Sequence, residues 1–346
     1  MPRPPCLLAL ETSCDETAAS VVTTGGDVLS SEVASQIEIH RVYGGVVPEL
    51  ASRNHIQVMR LLCEQALEKA GVTLPDVAAF AATSGPGLVS SLLIGSTMAK
   101  SLALAEGKPF LAINHLEGHL LSPFMSATPG GQSTEAAPIP RHLALVVSGG
   151  HTMIMNVEGV GRYQLLGRTR DDAAGEAFDK VAKMLGLPYP GGPEIDRRSR
   201  QGKRDAYEFP RSMMEAGNYE FSFSGLKTAV LYLLPKIDIT DETVLNDVCA
   251  SFQEAVIEVL VSKTLDAARR HQQSIIGVSG GVSCNRRLRE KFEEQCRKGG
   301  FELKLTPPVY STDNAAMIAF AAAHRHQAGF VSALETDVDP NLSLAG

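Results

Sequence analysis

The chain has 346 residues, 44% of them apolar and 21% charged, with a formal net charge of −7. That length allows two domains with cores of their own, and that composition excludes a disordered or collagen-like chain. The acidic balance argues against broad, non-specific nucleic-acid binding while leaving room for a local basic face.

The best apolar stretch, residues 88–105, is interrupted by serines and Lys100, so no bilayer span is expected. The few apolar residues before Glu11 make a poor signal peptide. Cys6, Cys14, Cys63, Cys249, Cys284 and Cys296 form no C-x-x-C pair and read as scattered thiols in a reducing compartment, so the expected location is the cytoplasm.

Residues 7–22 read as strand, polar turn, strand, with the turn Thr12-Ser13-Cys14-Asp15-Glu16 between them. Pro48 and Glu49 open a long amphipathic helix, with Met59, Leu62, Ala66 and Ala70 on one face and Gly71 as its stop. A buried strand over 77–83 meets Ser84-Gly85-Pro86-Gly87, and a helix follows as far as Gly107. A Gly-rich turn between strand and helix is either an anion site or simply a tight turn. After the strand at 110–113, Asn114 is a good N-cap. The helix it starts puts His115 and His119 on one face, where they can share a metal or merely pack. A zinc peptidase would need Glu directly after the first His, and Leu116 stands there; Glu117 points elsewhere.

Residues 126–141 turn to Pro, Gly, Ser and Thr and read as a mobile surface loop. From His142 the opening pattern recurs: strand, Ser148-Gly149-Gly150 turn, strand. Two such turns, each rich in small polar residues and each opening a half of similar size, predict duplicated lobes. The fold class expected is therefore α/β, the two-lobed actin/Hsp70/sugar-kinase (ASKHA) plan, with RNase H-like lobes around a central nucleotide cleft. The predicted division is 1–125, the loop 126–141, a second lobe 142–330 with an inserted helical segment, and a poorly ordered tail 331–346.

Within the second lobe, residues 171–180 enter a helix that places Asp172, Glu176 and Asp179 near one face, either for a ribose or amine or as an acidic first turn. Residues 187–193 look too broken by Pro and Gly for regular structure. Residues 197–211 carry six basic side chains against two acidic ones, and Arg286, Arg287, Arg289 and Lys291 form a second cluster. Either is a solvated face or a guide for a phosphate backbone. Residues 275–285 read as strand, double glycine and helix start, with Asn285 offering donor and acceptor. Asp313 precedes an Ala-rich helix and is a candidate N-cap or a third metal ligand.

Taken in order, Glu11-Thr12-Ser13-Cys14-Asp15-Glu16-Thr17, Gly44-Gly45-Val46-Val47-Pro48-Glu49, Gly85-Pro86-Gly87-Leu88, Asn114-His115-x-Glu117-Gly118-His119, Val147-Ser148-Gly149-Gly150-His151-Thr152, the 171–180 segment, Tyr189-Pro190-Gly191-Gly192-Pro193 and Phe221-Ser222-Phe223-Ser224-Gly225-Leu226-Lys227-Thr228 resemble the bacterial TsaD (Gcp) family of tRNA N6-adenosine threonylcarbamoyltransferases. The resemblance runs from Leu7 to about His326. It implies transfer of the threonylcarbamoyl group of threonylcarbamoyl-AMP to N6 of the adenosine beside the anticodon (position 37), in tRNAs reading codons that start with A. It implies one divalent metal per subunit, Fe(2+) or Zn(2+), held by His115, His119 and Asp313. It places the adenylate on Val146, Val147, Ser148, Gly149, Gly150, Asp179, Gly192, Asp196 and Asn285. Asp15 is the candidate for orienting or deprotonating the amine. Partners implied are tRNA, TsaB-like and TsaE-like subunits and a TsaC-type synthase that supplies the adenylate, with no membrane. Ser283-Cys284 departs from the pair of small residues common in the family before the Asn. The competing readings are a metal-dependent peptidase, an ASKHA-type ATPase and a non-catalytic assembly platform.

Overall fold

The computed structural model describes residues 4–128 and 131–344. In chain order the elements are β1 (Cys6–Glu11), β2 (Glu16–Thr23), β3 (Val28–Ser35), α1 (Ile37–Arg41), α2 (Pro48–Ala70), β4 (Val77–Gly85), α3 (Val89–Glu106), β5 (Phe110–Asn114) and α4 (His115–Leu121). They continue with β6 (His142–Val147), β7 (Thr152–Gly159), β8 (Arg162–Arg168), α5 (Ala174–Met184), α6 (Gly191–Ser199), α7 (Ser224–Leu233), α8 (Glu242–Arg270), β9 (Ile275–Ser279), α9 (Arg286–Gly299), β10 (Glu302–Leu305) and α10 (Ala315–Gln327). No helix among the described residues is long and apolar enough to cross a membrane.

Two five-stranded sheets repeat one plan, ordered β3-β2-β1-β4-β5 and β8-β7-β6-β9-β10. In each, the opening strand pairs antiparallel with the next (Leu8 with Val21, Leu145 with Ile154) and parallel with a later one (Leu8 with Phe80, Leu145 with Val278). Opening strands buried on both faces need an apolar run rather than alternation, which is what both supply. In β1, Leu7 and Ala9 pack on α10, while Cys6, Leu8 and Leu10 pack against Met59, Leu62 and Ala66 of α2 and Ala99 and Ala103 of α3. Pro48 starts α2 and Gly71, at φ +67°, ends it, as the sequence pattern predicts.

The chain divides into a unit of residues 1–140, 159–162 and 307–346 and a unit of residues 141–158 and 163–306. The boundaries differ from the predicted ones because α10 returns to the first unit, where its alanines and Met317 bury against Leu7, Ala9 and Val22. Small side chains let that helix lie close to the sheet.

Nor are the described residues of the predicted tail, 331–344, loose; Ala345 and Gly346 lie outside the described residues. Ser332 bridges Phe110, the Asp339 N–H donates to the Ser84 carbonyl, and the Pro340 carbonyl accepts from Gly87 N–H. Such single bonds to scattered loops leave no period in the sequence. Of the expected mobile loop, Pro129 and Gly130 lie outside the described residues. Elsewhere the loop bonds back to the fold at three points: Ser133 N–H donates to Asp27 at 2.7 Å, Thr24 donates to the Thr134 carbonyl at 3.0 Å, and Ala136 N–H donates to Gln327 at 3.1 Å.

In the second unit α8 is buried along most of its length, and its Glu254 joins two cations of α9. Arg287 meets Glu254 at 2.8 Å and Lys291 meets it at 2.5 Å. Burial raises this carboxyl, but hydrogen bonds from Arg287 and Lys291 outweigh it and hold it down to about 2. A depressed carboxylate stabilises above its unfolded value near 4.5 and loses that contribution as pH falls towards 2. Glu254→Gln is therefore expected to cost about 2 kcal/mol at pH 7 and almost nothing at pH 2. Urea unfolding at the two pH values measures the difference, and equal costs at both would remove the ion pair as the cause.

Candidate functional site

In the first unit, Asn114 ends β5 and caps α4, its side-chain oxygen accepting from Leu116 N–H at 2.8 Å. The four-residue spacing then sets the rings of His115 and His119 edge to face, with centroids 4.8 Å apart. Both Nε2 atoms converge on Asp313 Oδ1, His119 at 2.9 Å and His115 at 3.5 Å. Asn314, not Asp313, caps α10 by accepting from Met317 N–H, so Asp313 is released from the capping role its position allowed. Gly118 permits the approach of α4 to α10, since a Cβ there would stand 2.9 Å from Ile318 Cδ1 and 3.0 Å from Met317 Cγ.

Behind the pair lies Glu11, a residue the sequence reading did not single out. Its Oε2 is 3.0 Å from His115 Nδ1 and accepts from Thr83 Oγ1 at 2.7 Å; its Oε1 accepts from Ser13 N–H at 2.5 Å. The signal was present: a carboxylate at the end of an apolar strand cannot be buried unpaired. Burial pushes Glu11 up, but the charge and hydrogen bond of His115 prevail and hold it below the ordinary range. For His115 burial acts downward, and Asp313 and Glu11 overcome it, raising the imidazole to about 9. The ligand atoms of His115, His119 and Asp313 all lie within 4.8 Å of one another. With Nδ1–H donated to Glu11, neutral His115 aims its Nε2 lone pair at the same place as His119 and Asp313, a donor set that fits Fe(2+) or Zn(2+). His119 Nδ1 has no such partner among the described residues.

Asp15 is half-buried in the β1–β2 turn, its backbone carbonyl accepting from Gln36 N–H at 3.0 Å. Beside it, burial pushes Glu16 up to about 10, with Asp313 and Asp15 adding to the shift. Cys14 is pushed up by burial and by Asp15, so its thiol is no nucleophile at neutral pH. Glu117 is spent on Arg325 at 2.8 Å, which leaves a peptidase without its general base at this helix.

The Ser84–Gly87 turn is not an open anion cradle. Leu88 N–H donates to the Ser13 carbonyl, Gly87 N–H to Pro340, and a Cβ on Gly85 would meet the Asp339 carbonyl at 1.9 Å.

In the second unit, Val146 and Val147 are wholly buried, so only their backbone can serve a ligand. Ser148, Gly149 and Gly150 turn outward, both glycines exposed, with His151 N–H bonded to Ser148 Oγ at 3.1 Å and Gly175 N–H to the Ser148 carbonyl at 3.2 Å. Gly280, at φ +91°, lies against this strand end, and a Cβ would sit 2.3 Å from the Val147 carbonyl oxygen. Residues 191–193 open α6 rather than continue a loop, because a Pro in the first turn forfeits no helical bond. Asp179 Oδ1 accepts from Gly191 N–H at 2.7 Å; burial raises its carboxyl against the pull of the Gly191 and Gly192 amides. Asp172 precedes α5 instead of sharing its face with Glu176 and Asp179, and binds Lys180 at 2.7 Å and Lys227 at 2.9 Å. Asp196 meets Arg200 at 2.9 Å, and Asn285 caps α9 through Leu288 N–H at 3.0 Å.

The basic stripe is largely neutralised by acids outside the window in which it was counted. Arg197 and Arg198 pair with Glu194, Arg200 with Asp196 and Arg211 with Glu258, leaving Lys203 and Arg204 exposed. Arg286, Arg287 and Lys291 are likewise paired, with Glu290, Glu254 and Glu258.

The profile of the family "TsaD: tRNA N6-adenosine threonylcarbamoyltransferase" matches residues 27–320. A protein of that name from Anaeromyxobacter sp. (strain Fw109-5) is 50% identical over 335 residues, 96% of this chain and 98% of its own. Another, from Clostridium perfringens (strain SM101 / Type A), is 46% identical over 339 residues, 98% of each chain. Among solved structures, HypF of T. kodakarensis superposes with a TM-score of 0.60 at 12% identity, covering 95% of this chain and 49% of its own. The (R)-2-hydroxyglutaryl-CoA dehydratase component A of Acidaminococcus fermentans gives 0.53 at 16% identity, covering 94% and 99%. These two share the ASKHA-like fold and no more.

Proposed function

The chain belongs to the tRNA N6-adenosine threonylcarbamoyltransferase family, and we propose that it divides that reaction between a metal-holding first unit and an adenylate-holding second unit. The observation that carries this is the convergence of His115, His119 and Asp313, with His115 oriented from behind by Glu11. When bound, a divalent metal there supplies a Lewis acid for the acyl oxygens of the donor. Fe(2+) and Zn(2+) both suit two imidazoles and a carboxylate.

The remaining steps belong to the chain's own side chains and amides. The Ser148-Gly149-Gly150 turn takes the phosphate of threonylcarbamoyl-AMP on its backbone, at the end of the strand through Val146 and Val147. Asp179, Gly192, Asp196 and Asn285 hold the adenosine. The exocyclic N6 attacks the carbamoyl carbon, the bond from that carbon to the phosphate oxygen breaks, and AMP leaves as the anion. Asp15 orients the amine or accepts its proton, beside Glu16, whose carboxyl is pushed up by burial and by Asp313 and Asp15. AMP is a good leaving group, so positioning and charge stabilisation suffice. The tRNA is the acceptor; TsaB-like and TsaE-like subunits and a TsaC-type synthase complete the system in the cytoplasm, a setting that accords with six free cysteines.

Reconstitution with unmodified tRNA, threonine, bicarbonate, ATP and those partners tests the reading, scored as modified adenosine. Modification that persists at full rate with Asp313→Ala and chelator present would overturn the metal assignment. Unchanged affinity of an adenylate analogue for both Asn285→Ala and Asp196→Ala would overturn the nucleotide assignment.

A further inference from the structure

We infer that Gln253, in the middle of α8, is a positioning residue for adenylate binding: it fixes the amide of Asn285 and ties it to α6, the helix of Asp196. The inference rests on the adenylate reading of Asn285 above.

The direction of each hydrogen bond follows from one fixed donor. Leu288 N–H, at the start of α9, must donate, so the atom of Asn285 that it meets at 3.0 Å is the oxygen. The Asn285 Nδ2 therefore faces Gln253, and the Gln253 atom 2.6 Å away is Oε1. Gln253 Nε2 is then the donor to Ser199 Oγ at 2.6 Å, and Ser199 gives its own hydrogen to the Asp196 carbonyl at 2.9 Å. No member can flip without setting two donors or two acceptors face to face. Gln253 is 4% exposed and Ser199 7%, so water offers neither an alternative partner.

This chain explains how a side chain already used as a helix cap can also serve a ligand. Asn285 spends its oxygen on Leu288 and one N–H on Gln253, and the other N–H of its amide is left to donate. Gln253 decides where that N–H points. Across α6, the same bonds set the backbone at Asp196, so two proposed adenosine contacts share one support.

The test is a double-mutant cycle read by calorimetry with AMP and with a non-hydrolysable threonylcarbamoyl-adenylate analogue. Gln253→Met keeps the volume and removes both bonds. Losing the restraint on one bound side chain should weaken the analogue about threefold to tenfold, raising KM for the adenylate while kcat stays near wild type. In the Asn285→Ala background the same substitution should cost nothing further. A purely structural role would lower Tm and leave affinity alone, so unchanged affinity of Gln253→Met overturns the inference, as does an equal loss in both backgrounds. Wild-type affinity in Asn285→Ala alone would instead remove the adenylate reading, and the inference with it. Should Gln253→Met not fold, Ser199→Ala cuts the next bond, and its smaller loss must likewise vanish with Asn285→Ala.

Discussion

His119→Ala is expected to empty the metal site and to reduce transfer by about two orders of magnitude or more, beyond the tenfold to hundredfold typical of a lost outer partner. The expectation stands on the ring's place: its Nε2 is 2.9 Å from Asp313 and faces the same point as His115. Among the described residues no other His, Cys, Asp or Glu completes such a group with His115 and Asp313, and Glu117 is held by Arg325. The ring is also wholly buried, so the substitution leaves a cavity and costs stability as well. Asp313→Asn separates the two effects. Its side chain is 23% exposed, and its amide keeps the shape while giving up the charge. Both variants should lose metal and activity, and His119→Ala should lower Tm the more, because it alone leaves a cavity, while Asp313→Asn gives up the charge that helps hold the His115 proton. Metal content by mass spectrometry, with modified adenosine counted in parallel, decides it; full occupancy in both would sink the site.

Both polar turns, the α2 boundaries and the i, i+4 pair were legible in the sequence because each is a local pattern. Pro48, Gly71 and Asn114 act within one turn of where they stand. What escaped was set by distant partners. Asp313 looked like a cap because the residue that caps α10 is its neighbour, and only the folded backbone says which. The return of α10 to the first unit was hidden by its alanines, which fit many surfaces and name none. The stripe at 197–211 looked cationic because Glu194 and Glu258 lie outside it, one three residues before Arg197 and the other on α8. Charge reversal at Arg198 would break an internal ion pair and so could not report RNA contact by itself.

Glu11 shows what the same blindness cost at the site, and Glu11→Gln is where the next largest effect is expected. The carboxylate does two things to His115: it orients the ring through Nδ1, and it helps Asp313 raise the imidazole to about 9. In the metal-free protein a pKa raised above its unfolded value gives stability fully present below pH 6.5 and lost as pH rises through 9. Metal uptake must expel that proton, so apparent affinity should climb about tenfold per pH unit up to about 9 and level off above it. Gln in place of Glu11 weakens the orientation, for an intrinsic loss of about tenfold to hundredfold. It also loosens the proton, which moves the levelling point to lower pH. The two effects oppose each other near neutrality and separate in alkali. The deficit of Glu11→Gln should therefore be largest at pH 9 and shrink towards pH 7. Chelator competition across that range reads both. A deficit that stays constant with pH would mean Glu11 holds the ring without tuning its proton, and no deficit at all would mean that His115 is not a ligand.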